Sequence, residues 1–424
     1  MVRMFARVWG RFAVAVVLAA VCATAASAQP VKVTMLQELR TGFHEWQAAL
    51  VEQFNKENPQ IQIELISYAG QGVIAKLQTM QAAGVPIDIG WMDPYFIVDW
   101  GLQGLIEDLT PYIERSAEQF ADWIPSGLAM YQARGAQYGL PRDLQFQGIF
   151  YNVDAYESAG LALPAPDWTY YDLMENARRL LVEQPDGKVT RYGFKIPTWR
   201  NWMALVWAFG GDFLDSWTVP ARFTGNTDAT REALEFMREL VVARAVQDRE
   251  THRAVPIVDG FINQSVAMGQ TNTFAMAQFY QIADFRWDVA SLPLGPAGRR
   301  RPTVNAIGWF MSSAAQDKEA AWEVLRFFTS PEALTKLVID AGAMPPSLDL
   351  IVNVWMERLD KPDGRGNVLL DVAEAGPIGA PHEDIFRYIQ SETDLAIWGE
   401  KPVVAALVTM EQLVEAELAR RGGR

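Results

Sequence analysis

The sequence predicts an α/β protein of two lobes. Three observations carry that expectation. Strand-like and helix-like stretches alternate from residue 31 onward, and no internal repeat or low-complexity tether separates them. Of the 424 residues, 396 remain once a 28-residue leader is set aside, more than one core usually holds.

The leader comes first. Arg3, Arg7 and Arg11 make a basic start, FAVAVVLAAVCA is an apolar run of 12 residues, and ASA at 26–28 offers a small-x-small cleavage site. The run falls short of the roughly 20 apolar residues that span a membrane. Cys22 raises lipid anchoring as an alternative, but Val21 stands where that signal wants Gly, Ala or Ser. Export by cleavage is the reading. Cys22 is the sole cysteine and leaves with the leader, so the mature chain is expected to have neither disulfides nor thiol chemistry. Three of the 37 basic residues leave too, so 34 face 51 acidic ones. A surface that acidic repels phosphate backbones and anionic lipid.

VKVTML (31–36) reads as a strand, and Phe43, Trp46, Leu50 and Phe54 then recur at helical spacing. Asn58-Pro59 closes that helix, and IQIELIS (61–67) alternates like a strand. Val73, Ile74, Leu77 and Met80 return to helical period until GVP (84–86). DIGWMDPYF (88–96) then begins as a buried strand and stops near Asp93, because Pro94 cannot donate to a ladder. The order is β-α-β-α-β. Ligands of such sheets gather beyond the carboxyl ends of the strands, where Asp93 and its neighbours lie.

GIFYNV (148–153) reads as another buried strand. WTYYDLMENARRLL (168–181) is a helix with Thr169 as cap, Asp172 three residues on, and Trp168 stapled to Leu173. A helix over 229–242 presents Leu234, Met237 and Val241. FAMAQF (274–279), DVASLPL (288–294) and TVNAIGWFM (303–311) are expected strands, the last two separated by the turn-rich GPAGRRRP. A helix runs through Trp322, Leu325 and Phe328. SPEALTKLVIDAG (330–342) carries a Ser cap, Pro at its first position and Gly past its end.

Marked enzyme signatures are missing: there is no Gly-rich phosphate loop and no serine elbow. His44, His252 and His382 are far apart and none opens a metal-ligand spacing, so neither metal nor cofactor is expected. A carboxylate pair for glycoside hydrolysis stays open as a remote alternative. Aromatic residues speak more clearly. Fourteen tryptophans follow the leader, and Trp199 and Trp202 sit three apart at the mouth of a helix in PTWRNWMALVWAFGGDF (197–213). Sugar C–H faces lie on such rings while hydroxyls need carboxylate or amide partners. Trp207 and Trp322, on apolar helical stripes, are expected in the core. Trp199 and Trp202 are candidates for a binding floor, Trp309 could serve either role, and Asp93 is a rim carboxylate or a helix cap.

Four stretches together resemble the extracellular solute-binding proteins of ABC sugar importers, the group that includes maltose-binding protein. They are GVPIDIGWMDPYFIVDWGLQGLIEDLTPYI (84–113), YGLPRDLQFQGIFYNVDAYESAGL (138–161) with the WTYYDLMENARRL helix, FINQSVAMGQTNTF (261–274), and residues 305–345 from NAIGWFM onward. An extra Ile87 separates Pro86 from Asp88, and Gln264 stands where glycine is usual. The resemblance implies the type II, Venus-flytrap fold with two α/β lobes joined by two or three crossings. Residues 29–142 and 303–345 would form one lobe, 143–302 and 346–424 the other.

It also implies a periplasmic monomer that holds a carbohydrate between its lobes and delivers it to a permease. The matching ligand positions are Asp93 with Trp91 or Tyr95, the crossing residues Asp143, Gln145 and Gln147, Phe274 at the platform position, Gly308 and Trp309, and, more weakly, Glu38. A phosphorylated or sulfonated polyol is the alternative ligand, for which Arg142 and Arg200 are placed as an anion clamp.

Overall fold

The computed structural model describes residues 29–39, 43–68, 76–77, 79–80, 83–85, 87–197, 199–280, 282, 284–358, 362–366, 376–377 and 383–422. The leader with Cys22, and Val73 and Ile74 of the second expected helix, lie outside the described residues.

The first lobe begins with β1 (Val31–Glu38), α1 (Phe43–Glu57) and β2 (Ile61–Tyr68), and β1 and β2 pair in parallel along their whole length. Trp46, Leu50 and Phe54 recur every three or four residues, so α1 buries one stripe. The third strand β3 (Ile89–Met92) is buried throughout and ends before Asp93, where α2 (Pro94–Leu102) starts with proline in its first turn. Asp88 fixes the start of β3: its carboxylate accepts from the Thr34 backbone N–H at 2.7 Å and the Thr34 hydroxyl at 2.8 Å.

The strand β4 (Leu140–Asn152) is twelve of thirteen residues buried and joins the halves of the molecule. The sequence pattern picks out its second half; Pro141, Arg142 and Asp143 hide the first, because a buried strand is expected to be apolar. Arg142 and Asp143 overcome this by pairing with each other at 2.8 Å.

In the second lobe α3 (Tyr170–Leu180) carries the full capping box, Thr169 and Asp172 each bonding the other's backbone N–H. It packs on β5 (Val189–Lys195); the short helix α4 (Met203–Ala208) and the amphipathic α5 (Asp228–Val242) follow. The strand after them is β6 (Val266–Asn272), and FAMAQF is not a strand: it forms a 3-10 turn, Thr273–Ala275, and a helical turn, Met276–Phe279. Ala, Met and Gln favour that helix, while the Gly-Gln-Thr-Asn end of β6 has no apolar alternation to announce it. DVASLPL is a strand only as β7 (Trp287–Ala290).

The returning strand β8 (Thr303–Met311) matches its expected bounds; α6 (Lys318–Phe328) carries Trp322, Leu325 and Phe328 as expected, and α7 (Pro331–Ala341) is capped by Ser330 and closed by Gly342 at φ 65°. Two helices, α8 (Glu383–Ile397) and α9 (Val403–Gly422), pack together against the second lobe.

Strand order across the sheet is β2-β1-β3-β8-β4-β6-β5, with the short strand Val182–Glu183 paired antiparallel beyond β5. From Leu140 to Phe146, β4 pairs antiparallel with β8; from Gln147 to Tyr151 it pairs with β6, while Ile149–Asn152 also pair with β7. One apolar cluster gathers Trp46, Phe54, Ile89, Trp309, Trp322 and Phe328 and runs along β4 to Phe150, Phe279 and Trp287. The other gathers Tyr170, Phe194, Trp207, Phe236, Ile389 and Leu407. Leu350, Ile351 and Trp355 join the first cluster, so the chain after residue 345 does not all pack with the second.

Candidate functional site

Three sets of polar groups meet where β3 ends and β4 crosses. The first surrounds Asp93. It occupies the N-cap position of α2 without a side-chain capping bond, so the cap reading does not account for its carboxylate. That carboxylate accepts from the Tyr95 hydroxyl instead. Burial pushes its pKa up from 3.8 to about 6, against the pull of the Arg200 guanidinium and the Tyr95 hydroxyl. Arg200 comes from the other lobe, in the 3-10 turn Trp199–Trp202, and is 1 % exposed. Its guanidinium carbon lies 4.6 Å from the Tyr95 ring centre and 4.0 Å from that of Phe386, and it donates to Glu383 at 3.0 Å. The contact is therefore an interlobe sandwich: Tyr95, guanidinium, Phe386.

The second set holds the Arg142–Asp143 pair. Both side chains are buried, and Arg142 lies 4.3 Å from the Phe43 ring centre and 4.6 Å from that of Trp91. Gln145 donates to the second Asp143 oxygen at 3.3 Å. Tyr131, with an exposure of 0 %, feels the charges of both Asp143 and Asp93; burial and those charges hold its hydroxyl pKa well above the usual value. Gly308 makes room for this ring, since a Cβ there would overlap it.

The third set is an amide knot at the crossing. Gln147 on β4 donates to the Asn201 side-chain oxygen at 2.6 Å, Gln270 on β6 donates to the Asn201 backbone oxygen at 2.8 Å, and Asn305 on β8 reaches the Asn201 side chain at 3.4 Å. Buried polar atoms with no hydrogen-bond partner among the described residues surround these sets: Trp91 Nε1, Tyr131 Oη, Gln270 Oε1, Asn272 Oδ1 and Thr303 Oγ1. Native interiors seldom leave such atoms unmatched, and hydroxyl groups of a ligand are suited to pair them.

Of the expected ligand residues, the structure gathers Trp91, Asp93, Tyr95, Arg142, Asp143, Gln145, Gln147, Arg200 and Gly308 here. Trp309 is a correction. Its ring is fully buried against Trp46 at 6.3 Å and Phe328 at 5.5 Å, on the α1 side of the sheet, so it is core. Trp202 is another: it is 2 % exposed, packs edge-on to Phe213, and gives its Nε1–H to Gln390 at 2.8 Å. Spacing at a helix mouth cannot distinguish a ring facing a cleft from one facing a neighbouring helix. Trp207 and Trp322 are buried, as their stripes predict. The side chains of Glu38, Trp199 and Phe274 lie outside the described residues. Arg142 and Arg200 are both already matched by carboxylates, which leaves a poor anion clamp. Sequence reading missed Tyr131, Asn201, Gln270, Asn305, Glu383 and Phe386, none of which sits in a spacing that signals a role.

The lobes, the shared strand and this seam of rings and hydrogen-bonding groups define a two-lobed α/β binding protein. More particularly, the chain belongs to the bacterial extracellular solute-binding proteins, whose family profile matches residues 39–335. It is 26 % identical over 333 residues to a binding protein of Brucella abortus (strain 2308), covering 76 % of this chain and 77 % of that one. It is 23 % identical to the erythritol/L-threitol-binding protein of Mycolicibacterium smegmatis over 67 % of this chain and 64 % of the other. The fold superposes with a TM-score of 0.78 on an ABC substrate-binding protein of Listeria monocytogenes solved with cycloalternan, over 92 % of this chain and 99 % of that one, at 22 % identity.

Proposed function

We propose that this protein is the periplasmic carbohydrate-binding component of an ABC importer, exported by its leader, holding a neutral sugar or polyol between its lobes and presenting it to a membrane permease. The observation that carries the reading is the seam itself. Asp93 and Tyr95 from one lobe meet Arg200, Glu383 and Phe386 from the other, beside buried polar atoms that lack partners among the described residues. A polyhydroxylated ligand supplies both donors and acceptors for those atoms, and its C–H faces suit the rings. Similar proteins point the same way, since one is named for erythritol and L-threitol and another was solved with cycloalternan.

The mechanism is a population shift. A ligand touching both lobes stabilises the closed form relative to the open one by its differential contacts, and the closed form is what the permease receives. No covalent step is needed. An anionic ligand fits less well, because each clamp arginine already faces a carboxylate: Arg142 with Asp143, Arg200 with Glu383.

Calorimetric titration of the leader-free protein with neutral mono-, di- and trisaccharides, erythritol, threitol and their phosphates tests this. Binding of at least one neutral compound, lost in Asp93→Ala, is the expected result. Binding confined to the phosphates refutes it.

A further inference from the structure

The space between Tyr95 of the first lobe and Phe386 of the second is taken by the protein itself. The Arg200 guanidinium lies there, 4.6 Å from one ring centre and 4.0 Å from the other. We propose that Arg200 sets the size of the ligand. Its side chain plugs the gap between the two rings, so the protein selects compact neutral polyols and monosaccharides over longer saccharides. The inference rests on the carbohydrate reading above and adds a size limit to it.

Both rings are held from behind. Tyr95 donates its hydroxyl proton to Asp93, and its ring centre lies 4.5 Å from that of Phe96. Phe386 is 4 % exposed and stacks at 25° on Trp202, whose Nε1–H donates to Gln390 at 2.8 Å. The turn beneath Arg200 is fixed as well, because the neighbouring Asn201 is tied to β4 through Gln147 and to β6 through Gln270. Walls and base are rigid, while the arginine side chain keeps its rotatable stem. The plug is therefore the part that a ligand displaces.

A guanidinium is flat and suits a ring face, as the C–H face of a sugar does, so Arg200 takes the place that a stacked sugar ring needs. The two ends of its ion pair lie in different surroundings. The Arg200 side chain is 1 % exposed, whereas that of Glu383, which accepts from it at 3.0 Å, is 58 % exposed. A ligand small enough to bind the hydrogen-bonding groups of the seam leaves the guanidinium between its rings. A longer one expels a buried cation from two ring contacts before it gains its own, and its affinity falls accordingly.

Erythritol, glucose, mannose, maltotriose and mannotriose are titrated calorimetrically into the wild-type protein, Arg200→Ala, Arg200→Met and Glu383→Gln, with circular dichroism confirming each fold. Arg200→Met keeps an unbranched chain without the charge, and Arg200→Ala removes both. Each takes the same cation from beside Asp93, so the contrast between them reads volume. The expected result is a wild type that favours the compact ligands, and a ratio of trisaccharide to monosaccharide affinity that rises roughly tenfold or more in Arg200→Ala but not in Arg200→Met. A damaged fold does not produce such a gain. Glu383→Gln, at an exposed position, loosens the guanidinium without removing it and is expected to move the ratio the same way by a smaller factor; it decides the question alone if Arg200→Ala does not fold. A wild type that binds trisaccharides as tightly as the compact ligands, a ratio unmoved in Arg200→Ala and Glu383→Gln, or an equal rise in Arg200→Met overturns the size limit and leaves the carbohydrate reading standing. Binding of none of these compounds by any of the four proteins overturns both.

Discussion

Closure of the lobes is expected to be favoured by acid, with Asp93 as the sensing group. Were the lobes to part and free Asp93 of Arg200, Tyr95 and Glu383, it would face solvent, where a carboxylate titrates in its ordinary range, near 3.8. Against Arg200, Tyr95 and Glu383 its pKa is about 6, chiefly through burial. The closed form therefore binds the Asp93 proton more tightly than the open one. Above pH 6 the carboxylate is ionised in both forms and its desolvation opposes closure; a rise from 3.8 to about 6 corresponds to about 3 kcal/mol. As pH falls from 6 towards 4 this opposition fades, because the closed form protonates first. The charged and titratable groups facing Asp93 are Arg200, Glu383, Tyr95 and Tyr131, and among them Arg200 acts to lower its pKa.

The assay is a distance measurement between spin labels, one on each lobe, in ligand-free protein from pH 4 to 8. The closed population is expected to increase as pH falls through 6, by up to about a hundredfold in its equilibrium constant. In Asp93→Asn, which carries no charge at any pH, that part of the response disappears and the protein is more closed at pH 8 than the wild type. A closed population that rises with pH, or an equal pH response in the Asn variant, refutes the reasoning.

Trp202→Ala is expected to lower stability by about 3–5 kcal/mol, as removal of a buried ring from the second core does, read as a reduced denaturation midpoint. Arg142→Ala leaves Asp143 as an uncompensated buried charge and is expected to cost about 3–5 kcal/mol. The double variant Arg142→Met, Asp143→Leu regains most of that loss in the same denaturant titration.

Local signals were legible wherever one residue type has one common use. Thr169 and Asp172, or Ser330, Pro331 and Gly342, mark helix ends because backbone donors and a left-handed exit leave few alternatives. Hydrophobic period likewise gave β1, β2 and β8. The polar first half of β4 was hidden because its stability comes from Arg142 meeting Asp143, and the polar end of β6 because Gln270 and Thr271 are buried only after folding. The acid at Asp93 was legible from the strand that stops beside it. Asn201 was not: one asparagine in a turn acquires its place from Gln147, Gln270 and Asn305, which are 54, 69 and 104 residues away along the chain. Trp202 and Trp309 show the limit of composition, since a ring's chemistry is the same whether it lines a cleft or fills a core.

The single strand β4 has a mechanical consequence. Its stretch from Leu140 to Phe146 is woven beside β8 and that from Gln147 to Tyr151 beside β6, with no loop between. Rotation of one half against the other must then be absorbed as extra twist near Phe146 and Gln147 rather than as swing of a slack joint. That ties the melting of each half to its neighbour, so heat should dismantle the molecule in one step.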